Sequence, residues 1–216
     1  MTFRITQEQR DLIEWLREPT RYERRVPMDD IPVKIKRLHP DAVIPQYATA
    51  GAAGFDLVAV EDVVIAPGET KKVPLGLAFE IPEGYELQIR PRSGVSAKTK
   101  LRVSNAPGTV DADFRGEVCV LVDNIERGEG PHKTMSYRLL DGSTQPTEKE
   151  WRCGYGDREY ESRKEVPEGT YLIRKGDRIA QGVLVKVPRA AFVEVAELDE
   201  TERGAGGFGS TGVSAE

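Results

Sequence analysis

The sequence predicts an all-β domain, a barrel or sandwich, and three observations carry that prediction. Short apolar runs with polar residues interleaved recur along most of the chain. Pro and Gly punctuate them, and the spacing leaves little room for helices in between. At 216 residues the chain suits one domain with appendages, or at most two small ones, and can bury a substantial core.

Residues 1–30 differ in texture from the rest of the chain. Thr6-Gln-Glu-Gln9 reads as a capping box, and Leu12, Ile13 and Leu16 beside Trp15 give part of an apolar helical stripe that runs to about Arg17 and ends at Pro19. An arginine-rich linker, Arg21 to Arg25, comes next as a connector or partner-docking arm. Strands are then expected at Ile31-Pro-Val-Lys-Ile-Lys, Asp62-Val-Val-Ile-Ala, Lys72-Val-Pro-Leu-Gly-Leu-Ala-Phe, Tyr85-Glu-Leu-Gln-Ile-Arg and Glu117-Val-Cys-Val-Leu-Val. Turns at Ala66-Pro-Gly-Glu69 and Ile81-Pro-Glu-Gly84 separate some of them. The pattern resumes at Thr170-Tyr-Leu-Ile, Ala180-Gln-Gly-Val-Leu-Val-Lys-Val and Ala191-Phe-Val-Glu-Val. The interval 125–168 is long for a connection within a compact β domain. Its apolar and aromatic content, in Met135-Ser-Tyr-Arg-Leu-Leu140 and Glu150-Trp-Arg-Cys-Gly-Tyr155, favours an ordered insertion with a small subdomain of its own. The expected organisation is an arm over 1–30, a β domain over 31–202 interrupted at 125–168, and a glycine-rich segment over 203–216.

Composition narrows the function. Charged residues at 31% against 38% hydrophobic ones give a soluble globular balance, and no apolar run approaches membrane-spanning length, so no membrane role is expected. Acids at Glu8, Asp11 and Glu14 replace any signal or transit pattern, which makes the cytoplasm the expected address. A net charge of −5 argues against general nucleic-acid binding and requires any phosphate site to be local. Cys119 and Cys153 lack metal-ligand spacing, and with His39 and His132 they assemble no zinc site. Both are expected as reduced thiols, Cys119 in the core.

The stretch Arg203-Gly-Ala-Gly-Gly-Phe-Gly-Ser-Thr-Gly212 carries the clearest chemistry. Five glycines in ten residues describe a segment that needs something to close on, or else a mobile tail. Arg203 suits a bidentate phosphate grip, Phe208 suits stacking on a base, and Gly209, Ser210 and Thr211 offer backbone N–H groups and hydroxyls to an anion. A phosphate binder next to a base stacker implies a nucleotide. A Walker A loop is the poorer reading, because no Gly-Lys-Ser/Thr occurs.

This stretch has four companions: Ala50-Gly-Ala-Ala-Gly-Phe-Asp-Leu57, Arg90-Pro-Arg-Ser-Gly94, Gly108-Thr-Val-Asp-Ala-Asp-Phe-Arg-Gly-Glu117 and Gly176-Asp-Arg-Ile-Ala-Gln181. In this order the five resemble the motifs of the homotrimeric deoxyuridine triphosphatases, over about Ile31–Asn124 and Thr170–Gly212. The resemblance excludes the arm and the insertion. It implies a distorted jelly-roll-like β-barrel and a homotrimer with its sites between subunits. It also implies Mg²⁺-dependent hydrolysis of dUTP between the α and β phosphates to dUMP and pyrophosphate, which keeps uracil out of DNA and supplies dUMP for thymidylate.

Residue roles come from the same resemblance. Asp111 orients and deprotonates the attacking water, strengthened as a base by desolvation when the glycine-rich segment closes. Ser93 and Gly94 meet the oxygen bridging the α and β phosphates, with Arg92 on the phosphate chain and Gln181 near the α-phosphate. Asp56 contacts Mg²⁺ through water. Asn105, in the turn before Gly108, reads uracil. Phe114 stands where the family commonly has Tyr, a ring packed where a ribose 2′-hydroxyl would be. Arg90 and Arg178 fit either phosphate contacts or ion pairs. The related dCTP deaminases need a glutamate on the strand after the third motif, where this chain has Leu121, so deamination is discounted. A binding or regulatory role through 125–168, toward a repressor-type protein partner, is the alternative to catalysis and is compatible with it.

Overall fold

The computed structural model describes residues 30–128, 132–153 and 159–207. The expected N-terminal helix and the linker Arg21 to Arg25 lie outside them. Before the interval at 125 the chain forms β1 (Lys34–Arg37), β2 (Phe55–Val58), β3 (Val63–Ile65), β4 (Thr70–Pro74), β5 (Leu77–Glu80), β6 (Tyr85–Pro91), a six-residue helix α1 (Ser93–Lys98), β7 (Leu101–Val103), β8 (Gly108–Val110) and β9 (Cys119–Asn124). The interval contributes β10 (Lys133–Thr134), β11 (Ser136–Arg138), β12 (Thr144–Pro146), β13 (Lys149–Cys153), β14 (Glu159–Arg163) and β15 (Val166–Pro167). The barrel then closes with β16 (Tyr171–Ile173) and β17 (Arg178–Lys186).

Three sheets build the main body, in the orders β2-β17-β6-β8, β4-β9-β7 and β12-β11-β16-β3, with β1 pairing β5 beside them. The result is a jelly-roll-like β-barrel. A single buried cluster draws Leu57, Leu87, Ile89 and Ile179 from the first sheet, Val73, Val120, Val122 and Leu101 from the second, and Ile65, Tyr171 and Ile173 from the third. Alternation along β9 shows how the sequence selects this arrangement. Val120, Val122 and Asn124 point inward, while Cys119, Leu121 and Asp123 are half-buried on the other side. In β17 a register irregularity between Arg178 and Ala180 turns both Ile179 and Ala180 into the core.

Close approach explains one conspicuous glycine. A Cβ at Gly182 would come 2.4 Å from Cε2 of Phe55, whose ring meets Tyr47 edge-to-face at 5.6 Å. The expected continuous run Lys72–Phe79 breaks into β4 and β5 at Gly76, whose φ of +66° is a conformation L side chains rarely adopt.

The interval joins the barrel rather than standing apart. Its strand β11 lies parallel to β16 through Arg138 and Tyr171. Tyr137, Leu139 and Val166 pack with Leu172 in a small second core. Thr147, 1% exposed, donates its hydroxyl to the Lys164 carbonyl at 2.6 Å and its backbone N–H to the Met135 carbonyl at 2.9 Å, and so ties the interval's strands together. The hairpin β13–β14 pairs only with itself among the described residues and leaves Trp151 71% exposed.

Two expectations fail. No helix is expected inside the barrel, yet α1 forms after Arg92, held by Val95 against the core and by the Thr99 hydroxyl donating to the Val95 carbonyl at 2.7 Å. Six residues give too short a period to read from sequence. Conversely, Ala191–Val195 alternates like a strand but forms none. Phe192 and Val193 are 96% and 79% exposed, and among the described residues this run has no strand to pair with.

Candidate active site

The predicted residues collect in two clefts. The first lies where β2, the end of β6, α1 and β17 converge. Asp56 on β2 receives two guanidinium groups, Arg92 Nε at 3.0 Å from Oδ1 and Arg178 Nη1 at 3.4 Å from Oδ2. Arg92 Nη1 also donates to the Arg178 carbonyl at 3.1 Å, which locks the two arginines to each other. Pairing places Gln181 directly between Asp56 on β2 and Arg90 on β6. Ser93 and Gly94 open α1, both exposed, and a Cβ at Gly94 would meet only open space. Four cations, Arg92, Lys98, Arg174 and Arg178, line the cleft together with Gly94 and two carboxylates, Asp141 and Asp177. The excess of positive charge is suited to an anion in a chain whose net charge is −5. Arg90 is engaged elsewhere, its Nη2 donating to Gln88 Oε1 at 2.7 Å.

The second cleft lies on the outer side of β9. Its lining comprises Asp111 and Phe114 from the loop after β8, Thr109 and Val110 on β8, Cys119 and Leu121 on β9, and Lys72 on β4. Asp111 is exposed, and its carbonyl accepts the Phe114 N–H at 3.2 Å to close a turn. Arg115 folds back on this loop and donates to the carbonyls of Ala112 and Phe114 at 2.6 and 2.9 Å. In the turn between β7 and β8, Asn105 lays its amide over Gly108. A Cβ there would sit 3.1 and 3.3 Å from the amide nitrogen and oxygen, so Gly108 leaves the room that Asn105 occupies.

Cys119 corrects an expectation. It belongs to the outward face of β9 rather than the core, and burial pushes its thiol pKa up, which keeps it a poor nucleophile. Lys72 and Leu121 line the Asp111 cleft without having been assigned to it. Their positions were readable from the alternation of β4 and β9, but only with the register that pairs Lys72 with Leu121. Arg203 is exposed, its Nε donating to the Gly206 carbonyl at 2.8 Å. Phe208, Gly209, Ser210 and Thr211 lie outside the described residues.

No group of three or more His, Cys, Asp or Glu side chains among the described residues could cage a metal ion. The donor set in the first cleft centres on the Asp56 carboxylate, clasped by two arginines. Its Oδ1 is shut off from solvent, and the approach of Arg92 is too far out of line for a hydrogen bond. With Oδ1 enclosed, Oδ2 is the oxygen left to meet the water shell of an ion held by substrate phosphates, and the set offers no cage for an ion held by the protein alone.

No residue lines both clefts. The dUTPase family model matches residues 41–129 and 168–212 and passes over 130–167. The chain is similar to the deoxyuridine 5′-triphosphate nucleotidohydrolase of Nautilia profundicola, 44% identical over 180 residues, 83% of this chain and 98% of the relative. Similarity to the same enzyme of Helicobacter pylori (strain J99) is 40% over 182 residues, 84% of this chain and 97% of the relative. Among solved structures, the dUTPase of Staphylococcus bacteriophage 80alpha with dUPNHPP superposes with a TM-score of 0.73 at 31% identity, covering 84% of this chain and 99% of that one. A variant dUTPase from phage phi11 of S. aureus, described with a structural Mg(II) ion, gives a TM-score of 0.68 at 26% identity, covering 79% of this chain and all of that one.

Proposed function

The chain belongs to the dUTPase family and is a dUTP diphosphatase, and on that premise we propose that its two clefts are complementary halves of a catalytic site completed between subunits of a homotrimer. The observation that carries this reading is the separation of the lining residues. Asp111 and Phe114 line one cleft, and Arg92, Gly94 and Arg178 line the other, with Asp56 paired to its two arginines. Hydrolysis needs the base, the sugar contact and the phosphate grip on one dUTP at once. The run Phe192–Leu198, exposed and without a strand partner among the described residues, leads from β17 to Arg203 and supports an arm that extends away from its own barrel.

In this reading Arg92 and Arg178 neutralise the triphosphate, and Ser93 with the Gly94 N–H faces the bridging oxygen where leaving-group charge develops. Mg²⁺, when bound, holds the triphosphate extended and neutralises part of its charge, with Asp56 contacting its water shell. Asp111 aligns a water on the α-phosphorus and takes its proton, and Gln181 helps hold that water. Asn105 pairs with the uracil edge, and the ring of Phe114 packs against the deoxyribose where a 2′-hydroxyl would project. Arg203, Phe208, Gly209, Ser210 and Thr211 close over the bound nucleotide. Pyrophosphate release from dUTP, dCTP, dTTP and UTP, measured with magnesium for wild type and Asp111→Asn, tests the assignment. Turnover of dUTP alone, cut by about 10²-fold or more in the variant, is expected. Undiminished turnover by Asp111→Asn would sink the role of Asp111.

A second role for the interval 125–168 is favoured by one observation: the family model skips most of it, yet its described residues form six strands, with Trp151 exposed on the β13–β14 hairpin. We propose that this lobe docks a protein partner of repressor type. The phage 80alpha dUTPase is described as controlling transfer of virulence genes by a proto-oncogenic G protein-like mechanism. Removing the hairpin should leave dUTP turnover intact and abolish partner binding. Collapse of activity together with assembly would make the lobe structural instead.

A further inference from the structure

The ring of Phe114 doubles back over its own loop. A Cβ placed on Gly116 would lie 2.7 Å from Cζ, 3.0 Å from Cε2 and 3.5 Å from Cε1. Carbon atoms do not approach that closely without something moving, and the ring tip, at the end of a side chain, is what would move. The remaining contacts of the loop fix backbone and not ring: the Phe114 N–H on the Asp111 carbonyl, and the Arg115 guanidinium on the carbonyls of Ala112 and Phe114. Gly116 is not among the glycines with positive φ, and it is exposed. Neither backbone conformation nor core packing therefore requires glycine there. The contact that does require it is the ring.

We infer that Gly116 is a positioning residue for sugar selection: its missing side chain seats the tip of the Phe114 ring and so sets how that ring faces the Asp111 cleft. The inference rests on the reading that Phe114 packs against the deoxyribose. It also explains how phenylalanine serves where the family commonly has tyrosine. The ring is placed by its contact with the glycine, so no phenolic hydrogen bond is needed to hold it. An alanine at 116 swings the ring tip away and opens or misplaces the wall that meets C2′ of the sugar. Misplacing a group that faces the substrate by about 1 Å can cost as much as 100-fold in rate.

The test is a double-mutant cycle on the full chain with magnesium, reading the ratio of kcat/KM for dUTP to that for UTP in wild type, Gly116→Ala, Phe114→Leu and the double variant. Gly116→Ala should lower the ratio by about tenfold or more, within the range set by such misplacement. In the Phe114→Leu background, where the shorter side chain clears position 116, the same alanine should change nothing. If Phe114→Leu leaves the ratio as in wild type, the sugar role of Phe114 fails, and the inference with it. If Phe114→Leu lowers the ratio but Gly116→Ala does not, the role of Phe114 stands and the seat is refuted. An equal loss from the alanine in both backgrounds, in the ratio or in folding, also refutes it, since the effect would then not pass through the ring. Should Gly116→Ala fold poorly by itself, recovery of folding in the double variant supports the seat, and a double variant as defective overturns it.

Discussion

Asn124 is the point at which the barrel and its inserted lobe are held together, and replacing it with leucine should be costly although it touches neither cleft. The side chain is 1% exposed. Its Nδ2 donates to the carbonyls of Ile65 at 3.0 Å and Gly169 at 2.9 Å, and its Oδ1 accepts the Glu126 N–H at 3.0 Å. Ile65 ends β3, Glu126 begins the lobe, and Gly169 returns the chain to the barrel, so one amide fastens three segments. Leucine has similar volume and removes all three bonds while leaving the backbone groups buried. At a net ~1 kcal/mol per bond the loss is about 3 kcal/mol, and toward 6 kcal/mol if the stranded groups find no water. For a chain of this size, 3 kcal/mol lowers Tm by roughly 6–12 °C. The assay is thermal melting of wild type and Asn124→Leu at one protein concentration, because oligomers melt in a concentration-dependent way. Steady-state dUTP turnover at 25 °C should stay within about twofold, since the residue is remote from both clefts. A fall in Tm below ~2 °C would refute the reasoning, because it would correspond to less than about 1 kcal/mol and mean that the three groups are satisfied without Asn124.

Two further outcomes are expected. Tyr137, 1% exposed, donates to Glu148 Oε2 at 2.8 Å, and its pKa is pushed up to about 12, first by burial and then by that carboxylate. A raised folded pKa means that the contribution is whole below the ordinary tyrosine value near ~10 and drains as pH rises toward ~12, so Tyr137→Phe should melt lower at neutral pH and lack this part of the alkaline decline. Glu148 is held below its usual value by its own backbone N–H and by Tyr137. Its contribution is therefore present above the ordinary glutamate pKa and lost as pH falls through the lowered one, and Tyr137→Phe should flatten that acid limb as well. Melts from pH 3 to 12 check both limbs, and parallel curves for the two proteins would contradict the coupling. Asp56→Asn strips the counter-charge from Arg92 and Arg178 and, in the role proposed for Asp56, weakens the contact to the water shell of magnesium. A loss of about 10–100-fold in activity is expected, and an unchanged magnesium titration would argue against Asp56 as the outer-sphere contact.

Legibility in the sequence tracked how local each signal was. Runs with period-two alternation, such as Tyr85–Arg90 and Glu117–Val122, became β6 and β9, because each carries its own inward face. The strands β2, β7 and β8 are three or four residues long, too short for a period, and their identity comes from the partners they find. The same limit hid α1. Ala191–Val195 shows the opposite error: the pattern of a strand is local, but strand formation is not, and this run has no partner strand among the described residues.

The site divides along the same line. Asp111, Arg92 and Asp56 stand out through the resemblance of the motifs that carry them, since a lone carboxylate on a turn reads first as an ordinary Asx-turn residue. What the sequence could not give is which of them share a cleft, since that depends on the pairing of β17 with both β2 and β6, and of β9 with β4. That pairing brings Arg178, Asp56 and Arg92 together and sets Lys72, Cys119 and Leu121 around Asp111. It also leaves the proposed base and the proposed phosphate grip in two clefts that share no lining residue. In the proposed arrangement, where each cleft supplies half of one site, assembly between subunits brings them together. The isolated barrel should therefore be nearly inactive, and diluting the protein below its assembly threshold should extinguish turnover steeply, not in proportion to concentration. Specific activity that is flat across the dilution, while the mass falls to that of a monomer, would show that one chain suffices and that the two clefts do not act together.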